Sequence, residues 1–141
     1  MAKVEVSESV AAPAAKVWAL LRDFGGIAKW AGPMLQNVAV EGSGVGAVRR
    51  AGLPGGLSLS ERLEAFDDRA RELSYSIVEK SPIPVKNYLA TMKVVESGPN
   101  ACRLDWSSSF EPDGATEEQA QKMIHGVYTN GIAGIRKALG V

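Results

Sequence analysis

From Gln36 to Phe110 the chain is punctuated, at short and even spacing, by glycine, proline and aspartate turn signals, and the stretches between them read as strands. Segments 36–41, 45–51, 57–66, 72–79, 88–97 and 102–110 are set off by Gly42-Ser43-Gly44, Gly52-Leu53-Pro54-Gly55-Gly56, Asp67-Asp68-Arg69, Pro82-Ile83-Pro84 and Gly98-Pro99-Asn100, with Pro112-Asp113-Gly114 after the last. Short strands joined by tight turns predict an antiparallel meander.

The ends of the chain are different. Val4, Val6 and Val10 alternate with polar residues and predict a first strand. Pro13 suits the first turn of a helix, and Val17, Leu20, Leu21 and Phe24 follow at helical spacing up to Gly25-Gly26. A second short helix is expected over 27–30, stopped by Gly32-Pro33. The chain closes with a predicted long helix over 116–139, capped by Thr116 and carrying Glu117 and Glu118 where the helix dipole favours acids. Its apolar stripe takes Ala120, Met123, Ile124, Val127, Tyr128, Ile135 and Leu139. Gly131 lies mid-stripe, where glycine costs roughly 1 kcal/mol against alanine, so close packing or clearance is expected there. The predicted class is α+β: a seven-stranded antiparallel sheet, two short helices after strand 1, and a sheet curved around one long C-terminal helix.

One residue sits badly in that pattern. From Leu57 the chain alternates, so that Leu57, Leu59, Glu61 and Leu63 face the interior while Ser58, Ser60, Arg62 and Glu64 face water. Glu61 thus falls among leucines, where an unpaired carboxylate is costly. Either a partner compensates it or it lines a wet internal space. If the hairpin centre falls near Gly55, Arg49 lies opposite Glu61, and it faces inward if Val45, Ala47 and Arg49 share one side of their strand. The two then form a buried pair that orients a polar ligand group, or Arg49 offers its guanidinium to a ligand carboxylate. The alternative is a rim salt bridge, with Arg49 turned to solvent by a register slip.

Composition narrows the function. With 141 residues, 45% of them apolar, the chain can bury a real core as one domain, 1–141. Lys plus Arg equals Asp plus Glu at 16 each, which gives no general pull toward nucleic acid or anionic membranes. One cysteine and one histidine leave no internal disulfide and none of the familiar zinc spacings. Cys102 lacks a basic neighbour to activate it, and His125 belongs at the exposed edge of the last helix. No membrane span, secretion signal, metal site or dinucleotide fingerprint is expected, so no cofactor is assigned and the location by default is cytoplasmic.

Ala12-Pro13, Val17-Trp18, Trp30 and Trp106 before Phe110-Glu111-Pro112, in this element order, resemble the START-type helix-grip superfamily. That group, also termed SRPBCC, includes the birch-pollen allergens and the polyketide cyclase/dehydrase-like proteins. Gly52-Leu53-Pro54, Glu61-Arg62-Leu63-Glu64, Asp67-Asp68, Ser76-Ile77-Val78 and Asn87-Tyr88 are similar in order to the plant abscisic-acid receptors. The resemblance implies a gate at Gly52, Leu53 and Pro54, and a pocket wall of Leu59, Glu61, Tyr75, Ile77, Tyr88 and Ala90. It also turns Met123, Val127 and Gly131 of the last helix toward a ligand. Departures are plain: Pro82-Ile83-Pro84-Val85 replaces the receptors' His-Arg-Leu latch, and Gln36 stands where they carry a carboxylate-binding lysine. A phosphatase-recruiting hormone sensor is therefore not expected.

Trp106 has two readings. Alternation with Leu104 and Phe110 faces it inward, and is favoured; a gapless alignment to the receptors turns Asp105, Ser107 and Ser109 inward instead. Taken together, the expected function is binding, for transport or sequestration, of a small hydrophobic ligand such as a lipid, polyketide or aromatic compound. The expected ligand-binding residues are Arg49, Leu53, Pro54, Leu59, Glu61, Tyr75, Ile77, Tyr88, Ala90, Trp106, Met123, Val127 and Gly131, with loop 52–56 as a gate whose glycines permit backbone change. A polyketide aromatase/cyclase or dehydratase with Glu61 as general base, and a partner-docking protein with a vestigial cavity, are the alternatives.

Overall fold

The computed structural model describes residues 1–31 and 35–141, so the expected helix stop at Gly32-Pro33 lies outside the described residues. Strand β1 (Ala2–Val10) is followed by helices α1 (Ala14–Arg22) and α2 (Ala28–Ala31). Then come β2 (Gln36–Glu41), β3 (Val48–Gly52), β4 (Ser58–Asp67), β5 (Glu72–Val78), β6 (Val85–Gly98) and β7 (Ala101–Pro112), and finally α3 (Glu117–Leu139). The strands form one open seven-stranded sheet in the order β1-β7-β6-β5-β4-β3-β2. Every pairing is antiparallel. The fold is the expected α+β helix grip.

Alternation sets which side chains fill the space between sheet and helix. Ala2, Val4 and Val6 of β1 and Leu104, Trp106 and Phe110 of β7 are buried, which settles Trp106 on the inner face. Two bulges adjust this rhythm. In β4 the register shifts between Leu63 and Ala65. In β6 it shifts between Lys86 and Leu89, with Asn87 at a φ of 52°. A bulge inserts an extra residue and re-aims the next side chain, so Val85 and Tyr88, three apart, are both buried.

Helix α3 packs on β1, β7, α1 and α2. Thr116 and Gln119 close a reciprocal capping box at its start, and Gly140 ends it in the left-handed conformation. Its sealed face is Ala120, Ile124, Tyr128, Gly131, Ile132 and Ile135. The stripe read from sequence is corrected here: Met123 and Val127 lie on its flank, each 47% exposed, and Ile132 joins the core. The apolar pattern of α3 is wider than the surface it covers.

Other expectations also shift. Val45 belongs to a turn, and β3 begins at Val48. Leu57 stands before β4 and is 52% exposed. Ser60, on the outer face, is nevertheless buried, because Glu79 covers it and accepts its hydroxyl at 3.2 Å while Arg50 holds Glu79 at 2.7 Å. Helix α1 ends at Arg22, ahead of the expected stop, and Gly25-Gly26 instead close a tight helical turn over Phe24–Gly26.

Two glycines of α3 admit close neighbours. A Cβ at Gly131 would meet the Trp106 ring at 2.7 Å, and one at Gly134 would fall on the Trp30 carbonyl oxygen. Gly126 faces open space. Gly134→Ala is therefore expected to cost about 1–3 kcal/mol or more by forcing backbone apart, whereas Gly126→Ala should gain up to about 1 kcal/mol from helix propensity. Urea melts of the two variants check this contrast.

Candidate functional site

The register pairs Arg49 of β3 directly with Glu61 of β4. Both side chains point inward, and the residues are only 5% and 8% exposed. Arg49 Nε donates to Glu61 Oε1 at 2.9 Å, and Nη1 donates to the Phe24 carbonyl at 3.1 Å. The guanidinium carbon lies 4.0 Å from the Phe24 ring centroid and 5.3 Å from that of Tyr75. Cation–π contact of this kind strengthens when the cation is desolvated. The turn at Phe24–Gly26 makes this possible, because it ends α1 with a carbonyl and a ring both facing Arg49.

An aromatic cluster continues from Tyr75. Its ring tilts against Tyr88 at 6.1 Å, and Tyr88 against Phe110 at 6.2 Å. Trp106 stacks on Tyr128 at 4.2 Å and meets Trp30 edge-on at 5.9 Å. Polar tips pair within the cluster: Trp106 Nε1 donates to the Tyr75 hydroxyl at 3.1 Å, and the hydroxyls of Tyr88 and Tyr128 bond each other. The buried Ser108 Oγ faces Tyr128 and favours its ionised form, but forms no well-directed hydrogen bond among the described residues.

Burial dominates the acidity of these phenols. It pushes Tyr75 and Tyr88 well above the ordinary tyrosine value, and Tyr128 up to about 12. All three tyrosines of the chain are thus held as neutral hydroxyls near neutral pH. Burial also pushes the Cys102 thiol up, in keeping with an inert cysteine.

A cavity of about 580 Å³ opens beside this cluster. Ile77, Val85 and Tyr88 lie on its inner side, and Glu79, Lys80, Lys86, Asn87 and Asp113 contribute its polar lining, with segment 81–84 alongside. Ile77 is the direct cross-strand partner of Glu61. A second cavity, about 310 Å³, lies beyond Phe24 and is bordered by Leu63, Phe66 and Gly42-Ser43-Gly44.

Of the predicted ligand-binding residues, Ile77 and Tyr88 line the larger cavity and none lines the second. Arg49, Glu61, Tyr75, Tyr88, Ala90 and Trp106 come together on the buried inner face, with Leu59 and Ile77 half-buried beside them. Leu53 is half-buried and Pro54 exposed in the loop, where Pro54–Gly56 form a tight turn. Gly131 backs onto Trp106, while Met123 and Val127 are exposed on α3. His125 is exposed, as expected. Phe24, Ser108 and Tyr128 were not singled out from the sequence. A tyrosine at the centre of a helix stripe signals a hydroxyl needing a buried partner; nothing local marks Phe24 as the cover of Arg49.

The model of the family described as polyketide cyclase/dehydrase and lipid transport matches residues 1–140. The chain belongs to that family. Among solved structures it is similar to the protein XoxI from Bacillus cereus, at 32% identity and a TM-score of 0.88 over 98% of this chain and 95% of that one. A protein from Thermobifida fusca is also 32% identical, with a TM-score of 0.85, covering 96% and 91%. Norcoclaurine synthase from Thalictrum flavum, solved with dopamine and hydroxybenzaldehyde, shares the fold at 18% identity and a TM-score of 0.75, covering 97% and 85%. No functionally curated protein matches the chain. Among the described residues no helix of this family member is long and apolar enough to cross a membrane, and no cluster of His, Cys, Asp and Glu could hold a metal ion.

Removing one partner of a buried ion pair leaves a stranded charge, so Arg49→Met or Glu61→Leu alone should cost about 3–5 kcal/mol, and the double variant far less. Equilibrium urea unfolding of all three tests it. Alkaline titration gives a second check. A phenol with its folded pKa raised above the unfolded value of about 10 contributes stability that is complete below that pH and lost as pH rises through the folded value. Phenolate absorbance should therefore be nearly absent around pH 10 in the folded protein, and unfolding should become easier on the way to about 12.

Proposed function

We propose that the protein binds a small, largely apolar molecule in the cavity beside Tyr88, holding it for transport or sequestration. The observation that carries this reading is the position of that cavity. Its volume, about 580 Å³, lies within the range of small-molecule pockets. Its inner side is formed by Ile77, Val85 and Tyr88, and Tyr88 joins it to the buried tyrosine cluster. Such a site combines apolar contact from Ile77, Ile83 and Val85 with polar groups, Lys80, Lys86 and Asn87 among them, that can orient a ligand.

Membership of the family supports a hydrophobic ligand, and the chemistry of the interior favours binding over proton transfer. Phenols raised far above neutral are poor proton carriers at physiological pH but good hydrogen-bonding groups. Glu61, the candidate general base, has Oε1 already committed to Arg49.

Native mass spectrometry of the purified protein, with organic extraction of anything bound, is the direct test. A co-purified small molecule, or saturable one-to-one binding of Nile red weakened by Tyr88→Ala, is the expected result. A protein that carries nothing and does not bind the dye would overturn the proposal.

A further inference from the structure

The cavity beside Tyr88 carries two cations that the fold itself leaves unengaged. Lys80 and Lys86 both line it, on either side of segment 81–84, and neither forms an ion pair or a side-chain hydrogen bond among the described residues. The segment between them is held firmly. Pro82 and Pro84 fix their own φ. The Ser81 hydroxyl donates to the Ile83 carbonyl at 2.9 Å, Val85 N donates to the same carbonyl at 2.8 Å, and Asp113 N donates to that of Pro84 at 2.9 Å. Glu79 and Asn87 bracket it at φ of 63° and 52°. Residues other than glycine enter that left-handed region at a cost, and such positions gather where surrounding structure shapes a functional site.

Most carboxylates near the two lysines are already engaged. Glu79 accepts from Arg50 at 2.7 Å and from Ser60 at 3.2 Å, and the Arg50 hydrogen bond holds its carboxyl below the ordinary glutamate value. Glu111 stands opposite Lys86 across the β6–β7 ladder, yet it accepts from the Asn87 amide instead. Among the described residues this leaves Asp113 as the one lining carboxylate without a side-chain partner, against two such ammonium groups. The cavity therefore has a place for one further negative charge beside an apolar wall. A lysine ammonium acts as a point charge on a flexible stem, so it can meet a carboxylate without the fork geometry an arginine needs. We infer that the ligand is an amphipathic acid, with its apolar body against Ile77, Ile83, Val85 and Tyr88 and its single carboxylate met by Lys80 and Lys86. This inference rests on the binding role proposed above. Asp113 limits the charge accepted, because a doubly charged head such as a phosphate monoester meets it with like sign.

The test is displacement of Nile red, near neutral pH and at low ionic strength, by three competitors built on one ring system: a naphthoate, a naphthol and a naphthyl phosphate. The wild-type protein should bind the naphthoate more tightly than either of the others. In the double variant Lys80→Gln with Lys86→Gln, the preference for naphthoate over naphthol should fall about fivefold, the scale of two partly exposed ion pairs. Both lysines are exposed, so neither substitution disturbs the core, and circular dichroism melts confirm that the variant is folded. Equal or tighter naphthol binding by the wild-type protein overturns the inference while leaving the binding role intact. So does an unchanged preference in the folded double variant, and so does a phosphate that outcompetes the naphthoate. Failure of Nile red and of all three competitors to bind overturns the binding role itself, and this inference with it.

Discussion

The ion pair between Arg49 and Glu61 is the interaction on which the arrangement of the inner face depends. Burying two charges is expensive unless geometry and further hydrogen bonds compensate. Here the compensation is distributed: a carboxylate at 2.9 Å, a backbone carbonyl at 3.1 Å and two aromatic faces. Each component ties down a different part of the chain. The pair fixes the β3–β4 register, since a slip of either strand by one residue would turn its charge to the opposite face and strand the other. The Phe24 carbonyl fastens the end of α1 to the sheet, and Tyr75 carries the contact onward into β5.

Much of this was legible in the sequence. Residues 49 and 61 are equidistant from Gly55, so a symmetric hairpin brings them together, and alternation then turns both inward. The six strands of the meander and the capping of α3 were equally readable, because turn residues and caps are local chemistry. What could not be read was non-local. The inward aim of Tyr88 depends on a bulge at Asn87, which the alternation rule does not contain. Burial of Ser60 depends on Arg50 and Glu79 meeting above it from different strands. Met123 and Val127 match the helical period as well as any core residue, and only the extent of the sheet beneath α3 leaves them exposed.

The interior is unusual in separating polarity from charge. Three phenols, a serine and an indole N–H are gathered in one region, and the single cation there is matched by the single carboxylate. Desolvation keeps the phenols protonated. The same low-dielectric setting strengthens hydrogen bonds and penalises any unmatched ion.

Because the Trp30 carbonyl is seated against Gly134, α2 and α3 meet backbone to backbone and cannot slide past each other without separating. Interfaces of that kind behave as rigid joints. The helical half of the molecule therefore acts as an anvil, and any breathing of the fold falls to the hairpins of β3 to β6, where the loops lie. Divergence in shape among related chains should accordingly be written in those hairpins, with the α2–α3 joint as the fixed frame.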